Sequence, residues 1–294
     1  MSALSDALSN LFDFEVTVEL LSYPFVQHAL LAAGALGLVS GALAPLVVAR
    51  KMSFAVHGTA ELAFTGAAAA LLLGAGIGVG ALAGAVVAAL LLGLLGQRGT
   101  ERDSVTGAIL SFGLGVGVLL LWLNPERTGN KFSLLVGQIV GVDSADVTLL
   151  TSCAAGVLVV LAVLYRPLLF ASLDPDVATA RGVPTRVLTP VFAVLVGVAT
   201  ALGVYTVGAL LVLALMVTPG LAAARVTASP VKATLLAVLF AEVAALGGIV
   251  LSLAPGAPVS AFVTIISFVL YLACRGIGAL RLRRFGTAAA PATA

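Results

Sequence analysis

Charged side chains are scarce in this chain: Asp, Glu, Lys and Arg make up 10% of its 294 residues, against 61% apolar residues. A soluble domain could not bury that much apolar surface, so a globular water-soluble protein is excluded and the chain must dissolve in lipid. The alternation over about ten residues that marks a membrane β-barrel is missing too, because the apolar runs are continuous and reach about twenty residues. Nucleotide chemistry has no foothold. There is no GxxxxGK[ST] loop, and the glycine runs 74–80 and 113–117 lack a strand-to-helix setting, so they read as close helix packing. With two histidines and neither an HExxH nor a paired-aspartate motif, an intramembrane enzyme has little support. Cys153 and Cys274 fall in separate apolar spans and read as small buried side chains rather than a disulfide or a metal site.

What is present is the pattern of an all-α polytopic membrane protein. A window of about 19 residues marks spans near 26–48, 57–75, 79–96, 105–123, 147–165, 187–203, 205–223, 232–252 and 257–273, about nine helices. Eight or ten stay open, because 187–223 is nearly continuous across Gly203-Val204-Tyr205-Thr206 and 132–142 is too short to span. If the first span runs inward from outside, all of the 15 basic residues except Arg127 and Lys131 lie on the cytoplasmic side. The positive-inside rule then puts the N-terminus outside and the C-terminus in the cytoplasm of a cell-membrane protein. Residues 1–24, with Asp6, Asp13, Glu15 and Glu19 among apolar positions, read as an external amphipathic segment without the basic start of a signal peptide. Residues 25–275 form the transmembrane domain, and 276–294 a basic, then disordered, cytoplasmic tail. The net charge of +2 singles out no partner, and nothing calls for nucleic acid.

Three polar features stand out of this apolar background. His57 and Glu61 follow the basic pair Arg50-Lys51 and lie one helical turn apart on one face, with Glu61 near mid-membrane, where either group is expensive to bury. Two readings stand: a His-Glu hydrogen bond that neutralises itself, or a transit site for a first-row divalent cation, which imidazole and carboxylate both suit. Two protein ligands do not close a tight site, as suits a transporter that must release its cargo. Glu242 is a second carboxylate deep in an apolar run, either an interhelical hydrogen bond or a functional polar site. On the cytoplasmic side, Asp174 is a good N-cap, Pro175 fits the first helical position, Asp176 complements the positive helix end and Gly182 can end the helix in a left-handed conformation. A short capped helix over 174–182 follows, which is either an interfacial turn or a rigid knob for a cytoplasmic partner.

These features resemble the permease subunits of the zinc/manganese/iron ATP-binding-cassette importers. Four stretches carry the resemblance: Phe25-Val26-Gln27-His28-Ala29-Leu30-Leu31, the block from Arg50 to Gly66, the segment Ser172 to Pro184, and the run Val207 to Pro219. The third is the most specific, being similar to the family's coupling segment, in which Asp174, Pro175, Asp176, Ala178, Arg181 and Gly182 would dock on the ATPase. The resemblance implies a type II importer-like fold and a homodimer with the path at its axis. It also implies a cytoplasmic ATPase dimer that binds the ATP, an extracellular metal-binding protein, and no permanently bound cofactor. The cargo would be zinc or manganese, or else iron. In the second block the family reads Gly-Asp-x-x-x-His-Ala, whereas here the order is inverted to His57 and Glu61 with the spacing kept. The rival expectation is a stand-alone secondary transporter or channel for a divalent cation.

Overall fold

A computed structural model of the protein describes residues 14–95, 102–124, 144–206, 208–209 and 212–288. Among these residues every regular element is helical: α1 (Phe14–Leu21), α2 (Pro24–Ala49), α3 (Ser53–Leu72), α4 (Ile77–Leu95), α5 (Arg102–Leu123), α6 (Ser144–Leu173), α7 (Pro175–Ala180), α8 (Thr185–Thr206), α9 (Val212–Met216), α10 (Thr218–Val226), α11 (Pro230–Leu253) and α12 (Val259–Ala288). Seven of them (α2, α3, α5, α6, α8, α11 and α12) are long and apolar enough to cross a membrane unaided. The span expected at 79–96 is α4, a shorter apolar helix.

The span expected at 205–223 is not one helix. It breaks into α9 and α10, because Gly208 turns with φ 96° and Pro219, at the start of α10, has no N–H to continue a helix from before Val217. At the other end, α12 carries the chain through Ala288, past the point near 286 where a disordered tail is expected. Residues 289–294, the first 13 residues, the 132–142 segment and the two exceptional cations Arg127 and Lys131 lie outside the described residues.

The helices form an inner and an outer layer. α2, α3 and α8 are largely enclosed, whereas α5, α6, α11 and α12 turn most of their surface outward. The outward side chains are apolar, Phe112, Trp122, Val163, Leu235 and Phe268 among them, as a lipid-facing surface requires. Lipid offers no hydrophobic drive between helices, so close approach of small residues has to hold the bundle. α3 shows how. A Cβ on Gly66 would collide with the Gly80 carbonyl oxygen of α4, and one on Gly84 with the Leu62 carbonyl oxygen of α3, so the two backbones touch directly. On its other side, Thr65 Oγ1 donates to the Gly113 carbonyl of α5 at 2.6 Å.

Because the contact at Gly84 is backbone on backbone, no side chain can move aside. Gly84→Val should force α4 away from α3 and cost about 1–3 kcal/mol, the usual range for overpacking. The check is thermal stability in detergent: an unchanged Tm would show that the two helices do not meet at this point.

The corner between α2 and α3 is closed by backbone bonds. The amides of Lys51 and Met52 donate to the carbonyls of Val48 and Val47 at 3.0 and 2.9 Å, with Lys51 left-handed at φ 55°. This is a Schellman closure with lysine where glycine is usual. Its rigidity sets the direction in which α3 leaves the corner.

Candidate functional site

His57 and Glu61 stand in the first half of α3, about 6 and 12 Å along the helix from Ser53 at 1.5 Å per residue. Glu61 is 1% exposed, and His57 is half-buried. The segment is helical because Ala, Leu and Phe surround the pair, and it starts at Met52, whose carbonyl accepts from Val56 at 3.0 Å. Room for the pair comes from glycine. Gly58 faces Thr106 of α5, and Gly113 of α5 lies against the backbone and Cβ of Glu61, so the α3–α5 seam is thin at this level.

One buried polar atom of each group is left unused by the described residues. His57 Nδ1 and Glu61 Oε2 are buried, and neither makes a hydrogen bond among the described residues. Leaving such groups without partners costs about 1–3 kcal/mol each, more for a charge. The hydrogen-bonded, self-neutralising pair therefore does not describe these two atoms. An imidazole nitrogen and a carboxylate oxygen, both with free lone pairs on one helix, can accept a cation. Among the described residues no third His, Cys, Asp or Glu joins them, so those residues offer two potential ligands at this place.

Glu242 is elsewhere. It projects from α11 into a notch of α2 where Gly34 and Gly37 leave space: a Cβ on Gly37 would sit 2.8 Å from Glu242 Oε1. Its Oε1 is buried and makes no hydrogen bond among the described residues. One turn further along α2, Gly41 lies directly against the backbone of Val238, so the two helices meet closely beside this carboxyl.

The segment from Asp174 to Gly182 folds into a capped helix. Asp174 Oδ1 accepts from the Val177 amide at 3.0 Å, and Pro175 occupies the first turn. Gly182 has φ +83°, and the amides of Gly182 and Val183 close back on Thr179 and Ala178 at 3.0 Å each. Ala178 is fully buried, while Asp174, Pro175, Asp176 and Arg181 are exposed. One side of this six-residue helix is thus seated on the bundle and the other is free. The free side also shows Val177, and Leu173 just before the cap, two exposed apolar residues that the capping pattern gives no reason to single out.

The chain resembles known proteins along most of its length. The sequence profile of the ABC 3 transport family matches residues 22–276. The chain belongs to that family. Curated ABC 3 relatives include the manganese transport system membrane protein MntC of Halalkalibacterium halodurans, 29% identical over 80% of each chain. The MntC of Listeria innocua is 29% identical over 86% of this chain and 92% of that one. The manganese import system permease protein ScaB of Streptococcus parasanguinis is 29% identical over 67% of this chain and 70% of that one. Among solved structures, PsaBC from Streptococcus pneumoniae in complex with Fab superposes with a TM-score of 0.80 over 88% of this chain and 94% of that chain. At 23% identity that likeness establishes the ABC 3 fold and nothing finer.

Proposed function

We propose that this chain is the permease subunit of an ATP-driven importer of divalent metal, taking the ion from an extracellular binding protein and driven by a separate ATPase that binds on the cytoplasmic side. The observation that carries the reading is the pair of buried, unpartnered ligand atoms on α3, His57 Nδ1 and Glu61 Oε2, in a chain of a transport family. Manganese is favoured over zinc and iron, because the relatives above are named for manganese and a carboxylate is a hard ligand that suits it. Two ligands from one chain fall short of the coordination of any such ion. A homodimer that brings two His57-Glu61 pairs to its axis would supply four, leaving the remaining positions to water.

The test is reconstitution of the permease in proteoliposomes with its ATPase and a metal-loaded binding protein. Manganese should enter only with ATP and the binding protein present; entry without either would overturn the reading. The proposed orientation is checked separately in whole cells. Cysteine at Asn130 should react with an impermeant maleimide from outside, and cysteine at Thr100 should not. Labelling of Thr100 alone would invert the topology.

A further inference from the structure

Arg50 and Lys51 read alike in the sequence, as a basic anchor at the membrane surface, but they do different things. Lys51 is exposed, where an anchor belongs. Arg50 turns inward. Its Nε donates to Ser172 Oγ at 2.7 Å and its Nη2 to the Leu168 carbonyl at 3.4 Å. Ser172 Oγ donates in turn to the same carbonyl at 2.5 Å, so guanidinium, hydroxyl and carbonyl form a closed triangle. On its other side the guanidinium carbon lies 4.4 Å from the ring centroid of Phe192. Ser172, Leu168 and Phe192 are all buried, the last two completely.

These partners belong to two different stems. Leu168 and Ser172 are at the end of α6, and Asp174, the cap of α7, is two residues beyond Ser172. Phe192 is in α8, the helix that leaves α7 after the turn at Gly182. One side chain thus grips both helices that carry the capped helix. Its own backbone is the last residue before the Schellman corner at Lys51, whose backbone bonds fix the direction of α3 and with it His57 and Glu61. A push on α7 moves the α6 and α8 ends. Those ends hold the Arg50 head, and the Arg50 backbone turns α3. The flat five-donor head suits this task, since it can fork onto oxygens and stack on a ring at once, which an ammonium cannot.

We propose that Arg50 is a positioning residue that transmits movement of α7 to α3, and so links ATP hydrolysis by the partner to the opening of the His57-Glu61 pair. The inference rests on the importer reading above. The experiment measures, in the reconstituted complex, manganese ions imported per ATP hydrolysed. Arg50→Met should leave ATP hydrolysis running while that ratio falls about tenfold or more. Arg50→Lys, which keeps the charge but not the fork and stack, should not restore it. Ser172→Ala and Phe192→Leu, each removing one arm, should lower the ratio less. Added to Arg50→Met, neither should lower it further.

A wild-type ratio in Arg50→Met, full rescue by Arg50→Lys, or transport and hydrolysis falling in proportion would each overturn the inference while leaving the importer reading intact. A wild-type complex that imports no manganese with ATP would overturn both. Should Arg50→Met fail to assemble, the two arm variants decide: a wild-type ratio in both overturns the inference, and a lowered ratio in both supports it.

Discussion

Uptake of metal should fall by about a hundredfold or more in His57→Ala or Glu61→Ala, a loss of about 2.8 kcal/mol or more at about 1.4 kcal/mol per decade, while the protein still inserts and assembles. What separates a transit site from a structural pair is the sign of the accompanying stability change. If Glu61 held the bundle together through a hydrogen bond, replacing it would leave the fold weaker. Its Oε2 has no hydrogen-bond partner among the described residues and the side chain is 1% exposed, so at present it costs the fold the desolvation of a polar group. Glu61→Met, of similar volume and apolar, should therefore abolish uptake and leave Tm unchanged or raised, since an apolar side chain of like shape removes that desolvation cost. Measured together by manganese uptake and thermal unfolding in detergent, lost uptake with a lowered Tm would make Glu61 structural. Normal uptake in both alanine variants would remove the pair from the path. A finer variant, His57→Asp with Glu61→His, restores the order usual in this kind of permease. It should transport, with a shifted preference between manganese and zinc, because the oxygen and nitrogen ligands exchange depth along α3.

Long apolar runs are legible in the sequence because a bilayer of fixed thickness demands about twenty apolar residues per crossing, and that demand is local. The α7 cap is legible for the same reason: Asp174, Pro175 and Gly182 act on backbone groups within a few residues of themselves. The break between α8 and α10 was hidden, because its composition is as apolar as a true span, whereas among the described residues the conformations at Gly208 and ahead of Pro219 interrupt it. Contacts across the chain are hidden altogether. Arg50 meets Ser172 at a separation of 122 residues, and no local pattern distinguishes it from its neighbour Lys51. Glu242 stood out as a buried carboxylate, but that it occupies a notch between Gly34 and Gly37 depends on how α2 crosses α11. For His57 and Glu61, spacing gave the shared face. That no third His, Cys, Asp or Glu among the described residues joins them could be seen only in the fold.

Melting α7 should disconnect the permease from its ATPase without disturbing the spans. A helix of six residues is far below the length that is stable alone, so it persists through its cap, its closure and the seating of Ala178. Asp174→Ala removes the acceptor of the Val177 amide and should cost about 0.5–2 kcal/mol of local stability. Gly182→Val forces a β-branched residue to φ +83°, at a cost of about 1–3 kcal/mol, although a Cβ there would meet nothing within 4 Å. Because nothing crowds that position, any defect is conformational and not steric. The double variant should retain membrane insertion and binding of the external metal-binding protein. Its co-purification with the ATPase should fall about tenfold, or ATP should be hydrolysed without import. Weakened docking would set loss of α7 apart from loss of Arg50, which should leave docking intact and spoil only the ions moved per ATP. A gradient-driven transporter needs no such helix. Manganese uptake by this chain alone, powered by a proton gradient in proteoliposomes and unchanged by Asp174→Ala with Gly182→Val, would show that α7 is an interfacial turn and that the protein works without an ATPase.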